Sequence, residues 1–298
     1  MPAADDYHAP PVAAMAVAQE RPDALRLLLA QRRMYRTAKR WQALRWFGVL
    51  VLAVAAPFVA LIWPSSAVAV GGLAGIWLFA GRTALAGLEA RGMTRAACVQ
   101  EDFDLLVFAM PRTTERSDHP TAEDIAAVVG DDARFHDAIG REKLRGWYEF
   151  AGDDGTEAVA LAQRSNAAYT DRLLRTMVAT WCGAALLWFA VLLVIAGLSR
   201  LSFAAVLLGV VFPVLPSLLD VADYIRSTWR AAHDRADLAR SIERRLGAIE
   251  DQDLLVWQNQ LFTLRQTTPQ LPEWLYWLTR KRNERASKAA TRSLARPR

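Results

Sequence analysis

Apolar and polar positions divide the chain into four long uncharged runs set in a heavily charged background. Thr176–Ser199 holds 24 residues without a charge, and Leu201–Leu219 adds 19 more, joined through Ser199-Arg200 alone. Crossing a hydrocarbon core of ~30 Å takes ~20 helical residues. These runs are apolar all round, unlike the one-sided stripe of a soluble helix. Trp46–Trp63 gives 18 further uncharged residues with a tryptophan at each end, suited to the membrane interface. After Pro64-Ser65-Ser66 a fourth run continues to Gly81. Inside lipid each segment must satisfy its own backbone polar groups, so all four are expected to be helical. The pattern predicts two transmembrane hairpins, 46–88 and 175–222.

Between and beside the hairpins the pattern changes to amphipathic and charged. Residues 1–21 are expected to be a disordered leader, and 22–45 a basic amphipathic helix in which Leu25, Leu28 and Leu29 keep helical spacing. Residues 89–174 are expected to form a small cytosolic helical domain. In it Met93–Met110 is one helix, Thr121 caps another, Glu142–Phe150 is a third, and Thr156–Arg175 runs into the third span. Residues 223–282 predict C-terminal helices, with a break near Gly247 and a Pro269–Pro272 linker, followed by a basic tail over 283–298. No alternating strand pattern is present. The fold expected is an all-α membrane protein with helical cytosolic regions.

Charge orients these elements. The formal net charge is +5, but residues 280–298 hold eight Lys or Arg against Glu284 alone, so the rest of the chain is slightly acidic. Arginines crowd Arg32–Arg45, follow at Arg82, Arg91 and Arg95, and flank the second hairpin at Arg164, Arg172, Arg175, Arg226 and Arg230. The short links at 63–66 and 199–200 carry only Arg200. Positive residues stay inside, so both termini and the middle region are expected in the cytosol. A basic helix could also touch nucleic acid, but beside a span it reads as a boundary anchor, and no DNA partner is expected.

Candidate chemistry is sparse. Cys98 and Cys182 form no metal or disulfide pattern, and His8, His119, His136 and His233 have no metal-ligand spacing. Asp102/Asp104 and Glu250/Asp251/Asp253 are paired acids that suit a cation or, more simply, a solvated helix face. No phosphate loop or nucleophile elbow is present, so no enzyme, metal or cofactor is expected. The spans lack the buried charges of an ion-coupled transporter. Gly71 and Gly75 lie on a small-residue row that permits close helix contact within the protomer or between copies. EDFDLLVF at 101–108 and EDQDLLVW at 250–257 share six of eight residues after each hairpin, consistent with either duplication or chance.

Four stretches carry a resemblance: LLAQRRMYRTAKRW, EDFDLLVFAMP, AQRSNAAYTDRLLR and QNQLFTLRQTTPQLPEWLYWLTR, in that order. The chain resembles the SMODS-associated four-transmembrane effectors over residues 25–282. The resemblance implies a bacterial inner-membrane, multi-pass effector of antiphage defence. A cyclic oligonucleotide from a separate nucleotidyltransferase would trigger it to form a pore or disrupt the membrane, giving abortive infection. A membrane scaffold or receptor without pore activity is the alternative. Four mostly apolar spans line no wide aqueous path alone, so a homo-oligomer in the lipid bilayer is expected.

Such a messenger offers phosphates to arginine forks and bases to aromatic rings. On the helix entering the third span Arg164, Asn166, Tyr169 and Arg172 provide that mix, with Arg32 and Tyr35 on the matching first helix. The alternatives are that these arginines only anchor topology, or that the site lies in 111–155.

Overall fold

The computed structural model describes residues 6–63, 65, 67–150, 154–198 and 212–295, and every regular element among them is helical. In chain order these are α1 (Val12–Ala18), α2 (Pro22–Ile62), α3 (Ala67–Ala80), a π-helical turn (Gly81–Leu85) and α4 (Ala86–Val107). Then follow α5 (Ala122–Val129), α6 (Asp132–Glu142), α7 (Gly155–Leu198), α8 (Phe212–Arg245), α9 (Asp251–Thr267) and α10 (Glu273–Leu294).

The hairpins and the polar helices beside them are continuous rods. Helix α2 unites the basic helix and the first uncharged run in 41 residues, and α7 does the same for the second half in 44. At ~1.5 Å per residue each exceeds 60 Å, about twice the hydrocarbon thickness. A rod of that length carries any tilt of its apolar end directly into its polar end. Helix α2 packs along α4, and α7 along α8, so two long antiparallel pairs form the frame.

Two helical stretches among the described residues, Val68–Val107 and Gly155–Val194, are long and apolar enough to cross a membrane. Only 6% and 17% of their apolar windows is buried. Outward-facing Leu73, Ile76, Phe79, Leu186, Leu187, Phe189 and Leu193 would be costly in water and are at home in lipid. The apolar end of α2 likewise exposes Phe47, Leu50, Val51 and Val54. Most of the expected run Leu201–Leu219 lies outside the described residues.

The local breaks follow the residues expected to make them. Thr121 caps α5 in a reciprocal box, its hydroxyl accepting from the Asp124 amide at 3.2 Å and the Asp124 carboxylate accepting from the Thr121 amide at 3.1 Å. Gly247, at φ 93°, stands in the break between α8 and α9, and Pro272 precedes α10 as its N-cap.

Three expectations are corrected. The leader over 1–21 is folded from Asp6 onward. Tyr7 and Met15 are buried in the main core, and the Tyr7 hydroxyl donates to the Phe108 carbonyl at 3.0 Å. Glu142–Phe150 is not a helix: Lys143 adopts a left-handed conformation (φ 52°) that ends α6, and Gly146 (φ 62°) turns the chain again. The freed segment lays Tyr148 and Phe150 against Phe108. The basic tail from 283 is the second half of α10. Asn283 and Thr291 are buried, and Arg292 pairs with Glu149 at 2.8 Å.

Candidate functional site

Where the apolar ends of the rods meet the polar body, aromatic side chains lock the hairpins together. Trp46 of α2 lies 4.9 Å from Trp181 of α7 and 4.8 Å from Tyr224 of α8, measured between ring centres. Leu174, Met177 and Leu275 complete the cluster. The Tyr224 hydroxyl donates to the Gln270 carbonyl at 3.3 Å, which ties the junction to the proline linker before α10. In the first hairpin Gly48 admits the Trp77 ring so closely that a Cβ there would fall 2.0 Å from it. Arg82, on the π-helical turn, binds Asp220 of α8 through Nε at 2.9 Å and so bridges the two hairpins. A π-turn inserted in a long helix frequently marks a functional position.

Beneath this junction lies a buried polar core assembled from distant parts of the chain. Asp104 of α4 is fully buried and accepts three hydrogen bonds: from Arg265 Nη1 at 2.6 Å, Gln258 Nε2 at 2.8 Å and the Tyr148 hydroxyl at 2.7 Å. Gln163 of α7 donates to Gln258 and to the Leu254 carbonyl, each at 3.0 Å. Tyr35 of α2 donates to Gln100 at 3.0 Å, and burial raises its pKa to about 12. Burial lowers the Arg265 pKa, but Asp104, Tyr148 and Tyr35 around it hold it above the ordinary guanidinium value. A buried pair of this kind is worth less for stability than for fixing one arrangement of the helices around it.

The N-terminal segment supports this core. The Gln19 amide brackets the Tyr148 backbone, accepting from its nitrogen at 2.9 Å and donating to its carbonyl at 3.3 Å. Glu20 pairs with Arg145 at 3.0 Å and accepts from the Gly146 amide at 2.7 Å. His8 meets Asp251 at 3.0 Å. Gln19 and Glu20 thus hold the segment that sets Tyr148 on Asp104.

The six candidate ligand residues are not gathered into one site. Arg164 binds Glu243 of α8 through Nε at 2.7 Å, and Arg32 binds the Glu142 carbonyl and lies 3.6 Å from its carboxylate. Asn166 is half-buried, and its carbonyl accepts from Thr170 at 3.0 Å. Tyr169 is half-buried with a partner of its own, and Arg172 is exposed. Only Tyr35 belongs to the buried core. Among the described residues nothing lies within 4 Å of a Cβ added at Gly71 or Gly75.

The acid pairs also separate. Asp104 is internal and Asp102 faces Arg112 and His119, the latter at 2.8 Å. Asp253 caps α9 and pairs with Arg245 at 2.9 Å, a role unlike that of Asp104 at the matching place in the sequence echo. No group of three or more His, Cys, Asp or Glu that could hold a metal stands together among the described residues. Sequence reasoning missed Arg265, Gln163, Gln258, Tyr148 and Gly48. The one available signal was Arg265 itself, a charge that directly follows Leu261, Phe262 and Leu264 in the sequence.

Compared with known families, the chain matches the model described as the SMODS-associating 4TM effector domain over residues 14–294, nearly its whole length. No curated protein and no solved structure matches it.

Proposed function

Because the chain belongs to the SMODS-associating 4TM effector family, we propose that it is a membrane effector switched on by a cyclic oligonucleotide, breaching the bacterial inner membrane and aborting infection. The family match across 14–294 is the observation that carries this reading. The family's name couples it to SMODS proteins, the enzymes that supply such a messenger. The geometry supports the same division of labour. Lipid-facing helix ends supply the membrane-active part, the body supplies the receiving part, and rods common to both transmit the change. Both termini and the body lie in the cytosol, where the messenger is made.

The breach requires several copies, since the lipid-facing ends of one protomer are apolar and offer no continuous polar lining. Gly71 and Gly75, open on the outside of α3, are the places where helices of neighbouring copies approach.

Co-expression tests the reading. Cells carrying this chain with an active cyclic-oligonucleotide synthase from its genomic neighbourhood lose membrane potential when the synthase is induced. Cells with a catalytically dead synthase keep it. Equal potentials in the two cultures would favour a scaffold or receptor without pore activity.

A further inference from the structure

Arg235 of α8 has an unusual setting. It is 3% exposed, and no carboxylate bonds to it. Its Nη2 donates to the Leu264 carbonyl at 3.0 Å and to the Thr268 hydroxyl at 2.8 Å, at the C-terminal end of α9. Its Nε and Nη1 are buried and meet no acceptor among the described residues, and neither do Nε and Nη2 of Arg265, itself 4% exposed. Burial, and next the charge of Arg265, lower the Arg235 pKa to about 10, and of the two guanidiniums it is Arg265 that Asp104 binds. Asp171 of α7 favours the Arg235 charge from a distance, but its carboxylate binds Arg175 at 2.7 Å. Tyr35 faces the same two arginines with its hydroxyl committed to Gln100.

Buried guanidinium nitrogens without acceptors are costly, several kcal/mol for a charge taken out of water. Four such nitrogens offer donors for the oxygens of a phosphate group, and Nε with Nη2 of Arg265 form a fork that can hold two of them at once. Leu264, whose carbonyl anchors Arg235, also lines an open cleft of about 700 Å³ between α8 and α9, whose walls include neither arginine. That volume lies in the range of small-molecule sites. Its other walls include Ser241, Arg244, Asn259, Gln260 and Thr263, hydrogen-bonding groups suited to base edges. Asp234 and Asp237 line it too; Asp237 is already paired with Arg240 and with His233 at 3.5 Å.

We propose that Arg235 and Arg265 form a phosphate-binding site behind Leu264, beneath the α8–α9 cleft, occupied by a phosphodiester of a cyclic oligonucleotide. The assignment to a messenger rests on the function proposed above; the phosphate chemistry does not. A phosphate drawn between the arginines would pull Arg235 against Arg265, and with them α8 against α9, at the level where Tyr35 and Asp104 fix the first hairpin.

The test uses the full chain in a detergent without phosphate groups, with unfolding followed by tryptophan fluorescence. Sodium phosphate, compared with sodium chloride at equal ionic strength, should raise the midpoint saturably. Arg235→Met, which keeps volume and removes the buried charge, should weaken half-saturation at least tenfold. Arg235→Lys, which keeps the charge without the fork, should do the same and stands in if the methionine variant does not fold. The absence of a saturable phosphate effect in the parent overturns the site, as does an unchanged response in either folded variant. Cyclic di- and trinucleotides and a short-chain phosphatidylglycerol are then titrated against phosphate. Competition by a nucleotide supports the messenger assignment. Competition by the lipid alone, or by neither, overturns that assignment, while the membrane-effector reading stands or falls separately on the depolarisation experiment.

Discussion

Asp104 is the residue on which the body turns. It accepts from Arg265 and Gln258 of α9 and from Tyr148 in the segment after α6. Asp104→Ala leaves the Arg265 charge buried without its partner, a loss of ~3–5 kcal/mol in comparable cases. The double change Asp104→Leu with Arg265→Met removes both charges and should recover most of that loss. Thermal unfolding of the purified variants in detergent checks this. A double variant as unstable as the single one would mean that Asp104 acts through Tyr148 and Gln258 rather than through Arg265. None of this was legible in the sequence, where Asp102 and Asp104 read as one acidic face. At helical spacing two residues apart they point in different directions. The partner that buries Asp104 lies 161 residues away.

At the scale of elements the hydrophobic pattern was highly informative. It foretold α3 and the apolar ends of α2 and α7, as well as the Thr121 cap, the break at Gly247 and the proline linker before α10. It failed where long-range packing decided the outcome. Tyr7 and Met15 are too few apolar residues to signal a folded N-terminus, yet each fills a place in the core. Lys143 carries no turn signal of its own, yet its left-handed backbone (φ 52°) ends α6. The glycines divide in the same way. Small-residue spacing singled out Gly71 and Gly75, whereas the tight contact inside the first hairpin is Gly48 against Trp77. Gly48→Leu should therefore destabilise the monomer, by at least the ~1–3 kcal/mol typical of overpacking. Gly75→Leu should leave monomer melting unchanged and reduce the proportion of higher oligomers. Melting curves and light scattering on both variants separate the roles. A Gly75→Leu protein with full oligomers and full activity would remove contact at α3 from the account.

For the molecule as a whole, two long antiparallel pairs share one aromatic junction at the membrane boundary and one polar core beneath it. Trp46, Trp181 and Tyr224 connect the pairs above, and Asp104, Arg265 and Gln163 connect them below. With α2 and α7 running unbroken through both levels, a change in the body has no flexible joint in which to dissipate before it reaches lipid. The central claim is that a cyclic oligonucleotide acting on the body opens the membrane. Its most direct test is dye efflux from vesicles of phosphatidylethanolamine and phosphatidylglycerol carrying the purified chain, with cyclic di- and trinucleotides added one at a time outside. The account predicts that at least one of them releases dye in a concentration-dependent way, only from vesicles containing the protein, and that its linear form does not. Vesicles that stay sealed with every cyclic oligonucleotide, or that leak equally without one, would contradict it.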